Sequence, residues 1–447
     1  MLLRRSLPLV VATACAAFAS AAETPVPASP LSITYIRAGR VIDPASGQVL
    51  TNQVIVIEGD KIKSIGPDDT NAALLPPNTK IVDLRQATVL PGLIDCHTHI
   101  TSQPENYYTD IFRKSPIDVA ITAHVYARRT LLAGFTTVRD VGAGEYTDIA
   151  LKRAIDSGKV AGPRIFPAAL TLGATGGHVD LTGFSPSISF KDMSGVADGV
   201  DAVRSRVRQN IKFGAEWIKV AATAGVLSEE ESVGAPQYSE LEMHTAVEEA
   251  AMWGKKVAAH AHGTEGIKRA IRAGVASIEH ASFIDDEGIA LAKERGTWLV
   301  MDIYNDDYIL SEFARMGYPE KIIEKERLVG RTQRENFQKA HRAGVKMAFG
   351  TDAGVYPHGW NGKQFRHMVQ WGMTPMQAIQ AATVNAAELL NQKGKLGAIA
   401  TGAHADLIAV KGDPLADVTV LENIDFVMKG GEIVKDQLAR QPVKTFD

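Results

Sequence analysis

Cysteine is almost missing from this chain. Its 447 residues include only Cys15 and Cys96, which excludes a disulfide-stapled fold and leaves stability to a packed core. A charge bias is missing too: 48 lysines and arginines stand against 51 aspartates and glutamates, for a formal net charge of -3. No field of one sign is available to recruit nucleic acid or a membrane surface, so the expected partner is a small molecule. Long apolar runs are also scarce. The stretch from Leu7 to Phe18 is shorter than the roughly 20 residues that span a bilayer, and no later segment supplies a span.

That N-terminal stretch has another reading. Met1-Leu2-Leu3-Arg4-Arg5, the apolar run and then Ala19-Ser20-Ala21-Ala22 follow the order of a secretory signal peptide. Residues 1–22 are expected to be removed near Ala21 or Ala22, leaving a soluble periplasmic or secreted protein with no membrane attachment. Cys15 would leave with them, so Cys96 would have no intramolecular partner. Cys15 as a lipid-anchor site is an alternative, since Ala12-Thr13-Ala14 loosely resembles a lipoprotein signal.

Beyond a proline-rich linker, residues 32–90 hold short apolar runs such as Ile33 to Ile36 and Val54 to Ile57, punctuated by Glu58-Gly59-Asp60 and Ile65-Gly66-Pro67. This is the pattern of a small β domain. Residues 400–440 repeat it, with Asp406-Leu407-Ile408-Ala409-Val410 and Val427 to Val434, so both ends are expected to build one β-sandwich domain. Between them, in residues 91–399, short apolar strands alternate with amphipathic helices, the signature of βα units on a parallel sheet. Strands are expected near Leu93 to His97, Thr136 to Asp140, Arg164 to Leu170, Trp217 to Ala222, Lys256 to His262, Ser277 to His280, Thr297 to Asp302 and Val345 to Thr351. Helices are expected at Ile117 to Ala133, Val200 to Phe213, Glu240 to Trp253, Gly266 to Ala273, Asp286 to Arg295 and Pro319 to Ala343. Eight such units predict an α/β fold of the (β/α)8 TIM-barrel type, with its active site at the C-terminal strand ends.

Polar residues gather at those ends. Residues two apart on a strand share a face, so His97 and His99 can grip one cation together. Lys219 lies on the fourth strand, His260 and His262 end the fifth, His280 ends the sixth and Asp352 follows the eighth. Imidazole nitrogen and carboxylate oxygen are the ligands that zinc prefers. Each residue has a plainer reading. Lys219 can snorkel or pair with an acid, Asp352 can cap a helix, and His178 can be a loop histidine without a role. Packing is the alternative for Tyr238 and Tyr356.

These residues resemble the amidohydrolase superfamily: Pro91-Gly92-Leu93-Ile94-Asp95 with His97 and His99, the strand-four lysine, single histidines on strands five and six, and Gly350-Thr351-Asp352. Gly134 to Asp140, Gly173 to His178, His260-Ala261-His262-Gly263 and Ser277 to Ala281 look like its exported Xaa-Pro dipeptidase-like branch, related to ochratoxin-degrading amidohydrolases. The resemblance implies hydrolysis of amide bonds in dipeptides or N-acyl amino acids, including ochratoxin-like amides, by a metal-bridging hydroxide. It implies two Zn2+ or other divalent ions per chain. His97, His99 and Asp352 would hold one, His260 and His280 the other, and Lys219, carboxylated by carbon dioxide, would bridge them. Asp352 would also act as general acid and base, and His178 would polarise the substrate carbonyl. His262, Tyr238, Tyr356 and His358 would contact substrate, and the protein would form a homo-oligomer. Two other readings stand beside this one: a cyclic amidase or deaminase similar to imidazolonepropionase, which usually lacks the lysine, and a catalytically inactive structural homologue.

Overall fold

The computed structural model describes residues 33–439 apart from 70–73, 76–78, 189–193 and 231. The expected signal segment and Cys15 lie outside the described residues. Strands β1 (Ile33–Asp43), β2 (Gln48–Glu58), β3 (Lys61–Pro67) and β4 (Lys80–Pro91) open the chain. Gly59, at φ 61°, makes the tight turn from β2 to β3, a left-handed conformation that glycine adopts without steric cost.

Next come the parallel strands β5 (Leu93–Thr98), β6 (Phe135–Asp140), β7 (Arg164–Pro167), β8 (Trp217–Ala221), β9 (Lys256–Ala261), β10 (Ser277–His280) and β11 (Trp298–Val300). The chain ends in β12 (Leu407–Val410), β13 (Phe426–Lys429) and β14 (Glu432–Asp436). The two ends do combine in one mixed seven-stranded sheet, ordered β14-β13-β12-β4-β1-β2-β3. Its seam is the antiparallel pairing of Ile408 with Leu90. Ile36, Ile55, Leu84, Val89, Leu407 and Phe426 form the buried core against that sheet.

The parallel strands form two sheets, β5-β6-β7 and β11-β10-β9-β8, with helices intervening at the expected places. Helix Pro116–Leu132 starts in a capping box of Ser115 and Asp118, and helix Glu240–Met252 in one of Ser239 and Glu242. Each box satisfies backbone donors that a bare helix start leaves unpaired. The long helix Glu320–Arg342 follows β11.

Two expectations about strands change. The third strand stops at Pro167 rather than Leu170, because Ala169 turns to φ 62°. The expected eighth strand, Val345 to Thr351, forms no ladder and makes a single parallel bridge instead, Leu299 with Met347, followed just beyond it by one of Thr98 with Ala353. Backbone contacts are nevertheless continuous there: Leu299 N donates to Lys346 O at 2.9 Å and Cys96 N to Phe349 O at 2.8 Å. Between β7 and β8, Leu172 N donates to Lys219 O and Ala221 N to Leu172 O, both at 2.8 Å. Gly350 is required by the crowding at the first seam, where a Cβ would sit 2.2 Å from Val300 and 2.9 Å from His97.

Because β13 contributes the most deeply buried aromatic ring of the end-sheet core, Phe426→Ala is expected to destabilise the protein by about 3–5 kcal/mol. A denaturant midpoint unchanged from wild type would show that the C-terminal strands do not support the sheet.

Candidate metal centre

The C-terminal ends of β5, β8, β9 and β10 open into a cavity of about 830 Å³, lined by His97, His99, Lys219, His260, His280 and Asp352 among others. All six expected ligands therefore converge. Imidazole Nε2 atoms of His97 and His99 each lie 3.3 Å from Asp352 Oδ1. His97, His280 and Asp352 form one group whose ligand atoms all lie within 4.8 Å of one another, and His260, His262 and His280 form a second. His280 belongs to both groups.

Which ring nitrogen faces the centre is decided from behind. His97 Nδ1 lies 2.9 Å from Glu279 Oε2, His99 Nδ1 2.8 Å from Gly142 O, and His280 Nδ1 2.8 Å from Asp302 Oδ1. A carboxylate or carbonyl oxygen only accepts, so each Nδ1 carries the proton and each Nε2 presents its lone pair to the cavity. Buried and lacking a hydrogen-bond partner are His97 Nε2, His260 Nε2 and Asp352 Oδ1. Orphaned acceptors packed this closely repel one another, and a divalent cation among them removes the repulsion. The donor set fits zinc or a similar ion.

Lys219 is buried, and burial pushes its ammonium pKa down to about 8. The neutral amine is the form that reacts with carbon dioxide, and the lowered pKa makes more of it available near neutral pH than an exposed lysine offers. Burial and the facing His178 hold His260 well below the usual imidazole range, in the neutral form that can ligate.

His178 stacks on His260 at 4.0 Å between ring centroids, with Nδ1 2.6 Å from Ser228 Oγ. Ser228 Oγ already accepts from Gly225 N at 2.8 Å. Its hydroxyl proton is therefore available to His178 Nδ1, an arrangement that leaves Nε2–H of His178 as a donor into the cavity. His262, expected to touch substrate, has its Nδ1 2.8 Å from Ser282 Oγ and its ring among the second group of candidate ligands.

Three substrate-contact expectations are corrected. Tyr238 packs in the core and donates its hydroxyl to Ala197 O at 2.7 Å, which removes it from the cavity wall. Tyr356 is fully buried against Tyr304 and Tyr308. His358 turns away from the cavity: its Nε2 lies 3.1 Å from both His99 O and Ser102 O, and its Nδ1 3.2 Å from Thr130 Oγ1. It braces the turn after β5 instead of facing a substrate.

Several supporting residues escaped the sequence reading. Glu279 stands in the quoted Ser277-Ile278-Glu279-His280 run, yet its link to His97 spans 182 positions. Arg139 donates to Glu279 Oε1 at 2.8 Å, to Cys96 O at 2.5 Å and to Ser277 Oγ at 3.0 Å. Asp302 was legible as a polar residue ending an expected strand, but nothing in the sequence marked it as the partner of His280.

Residues 88–434 match the Amidohydrolase family. The chain belongs to that family. Ochratoxinase of Aspergillus niger is 33% identical over 426 residues, which covers 90% of this chain and 87% of the relative. The structure is similar to a solved Xaa-Pro dipeptidase with methionine bound in its active site, at TM-score 0.86 and 42% identity, covering 90% of this chain and all of that one. It is also similar to a solved prolidase complexed with N-methylphosphonate-L-proline, at TM-score 0.83 and 34% identity, with coverage of 91% and 100%. This is a prolidase-like, ochratoxinase-related amidohydrolase, a hydrolase acting on C–N bonds of amides.

Glu279 ties the His97 ring to a fully buried guanidinium. Glu279→Gln strands Arg139, so it is expected to cost about 3–5 kcal/mol of stability and to weaken zinc affinity about 10–100-fold. Zinc titration against a competing chelator checks the second effect, and wild-type affinity would refute the role given to Glu279.

Proposed function

We propose that this protein is a zinc-dependent dipeptidase that hydrolyses dipeptides or N-acyl amino acids, with ochratoxin-like amides within its reach. The observation that carries this reading is the pair of overlapping ligand groups sharing His280, with Lys219 buried beside them. His97, His99 and Asp352 are assigned to one ion, His260 and His280 to the other with His262 beside them, and Lys219 as its carbamate to both. An unmodified ammonium has no lone pair to offer a cation. Divalent ions held this way lower the pKa of water from about 15.7 towards 7 and polarise a carbonyl.

The remaining work falls to the chain. Asp352 takes the proton of the attacking water and delivers it to the leaving nitrogen, a role suited to a carboxylate whose Oδ1 has no hydrogen-bond partner. Its Oδ2 accepts from Asn305 Nδ2 at 3.2 Å, which fixes the carboxylate plane. His178 donates Nε2–H to the substrate carbonyl oxygen as negative charge develops there. The same reading includes closure of the two parallel sheets into one (β/α)8 barrel over residues 91–399, carried on a β-sandwich domain from 32–90 and 400–440. It also includes export through the N-terminal signal and assembly into a homo-oligomer.

The reading is tested by assaying zinc-loaded protein against a library of dipeptides and N-acyl amino acids. Asp352→Asn is expected to lower kcat about 10²–10⁴-fold on the best substrate, with metal content by elemental analysis nearly intact. Retained turnover removes Asp352 from the chemistry. One ion per chain with an unmodified Lys219 favours an imidazolonepropionase-like reaction instead.

A further inference from the structure

The same cavity is lined by an acid that the proposed mechanism does not use. Glu326 belongs to the long helix Glu320–Arg342 and lines the cavity with Val329 and Gln333. Positions three and seven residues on share its helix face. Gln333 donates through Nε2 to His280 O at 3.2 Å and to Asp302 Oδ1 at 3.1 Å, so this face runs from the candidate metal centre into the substrate space. Two helical turns separate Gln333 from Glu326, about 10 Å along the axis.

Glu326 is 3% exposed, and its carboxyl has no hydrogen-bond or ion-pair partner among the described residues. The neighbouring lysines are engaged elsewhere, Lys321 with Glu229 and Lys325 with Ser228 O at 2.8 Å. Arg334 is turned to Asp306, at 3.0 Å, and to Asp307. Among the described lining residues there is no arginine; Lys114 is bonded to Asp110, and Lys219 sits at the candidate metal centre. Burial, then Asp306 and Asp302, push the Glu326 carboxyl up to about 8. A carboxyl raised this far is largely protonated while the cavity is empty; an ammonium arriving with the ligand favours the carboxylate, releases that proton and supplies the partner that the chain does not.

We propose that Glu326 is a specificity-determining residue that receives a protonated amine of the substrate. The proposal rests on the dipeptidase reading and narrows it towards substrates carrying an ammonium group. That group is either the free amino terminus of a dipeptide or the side chain of a lysyl residue, and paired substrates separate the two. One pair compares a dipeptide with its N-acetyl form; the other compares lysine with norleucine at each position.

Wild-type enzyme is expected to prefer the ammonium member of at least one pair by tenfold or more in kcat/KM. In Glu326→Gln that preference is expected to fall to within about twofold, mainly through KM, with metal content unchanged. A preference that survives Glu326→Gln at full metal content overturns the proposal, as does a wild type that prefers neither ammonium. Calorimetric binding of the same pairs to metal-loaded Asp352→Asn protein reads the subsite without turnover. If wild type hydrolyses no member while the ammonium preference in binding persists and depends on Glu326, the dipeptidase reading fails and the subsite stands. Equal binding of both members sinks the subsite alone.

Discussion

An imidazole ring has two nitrogens, and a metal centre works only if every ring presents the same kind of atom, a lone pair, to one small volume. The structure meets this constraint from outside the centre. Glu279, Gly142 O and Asp302 take the Nδ1 protons of His97, His99 and His280, and the Nε2 atoms are left to converge. Glu279 can be buried because Arg139 faces it and lies over the Trp217 ring at 4.6 Å. The same guanidinium donates to the carbonyl of Cys96, the residue before His97. One buried ion pair thus joins β5, β6 and β10 beneath the centre and sets the orientation of a ring above it.

The electrostatics follow from that placement. A buried lysine loses hydration, so Lys219 is held nearer to neutrality than an exposed lysine, and the stacked His178 and His260 both resist protonation. Nucleophilic nitrogen and ligating nitrogen are both unprotonated nitrogen, and burial supplies each. In open solvent the lysine would keep its proton at neutral pH and repel a divalent ion.

How much of this was legible in the sequence depends on the distance over which each contact acts. His97 and His99 could be read because strand period two is local, and His260 and His280 because apolar strands end visibly where polar residues begin. The joining of the chain's two ends was legible because both carry the same short-strand pattern, which the pairing of Leu90 with Ile408 completes. Side-chain direction within loops was not. Tyr238, Tyr356 and His358 all follow strand ends, yet Tyr238 and Tyr356 point into packed cores and His358 into the turn it braces. Glu279 acts across a long sequence separation from within a strand, and Glu326 reaches the cavity from within a helix. No periodicity marks a side chain whose role is set by what lies opposite it.

Backbone conformation carries the last part of the arrangement. His280, Ala281 and Asp352 all have positive φ, at 68°, 51° and 56°, a region that non-glycine residues seldom occupy and that costs of order 1 kcal/mol or more for each. All three fall where the chain leaves the level of the parallel strands. Hydrogen bonds hold the left-handed turns in place: Asp352 N donates to His97 O at 2.8 Å, and Gln333 Nε2 to His280 O. Strain is tolerated at these positions because the surrounding contacts specify them more than once. Two of the residues that bear it, His280 and Asp352, are ones whose polar atoms meet across the cavity, so the local cost is part of how the centre is assembled.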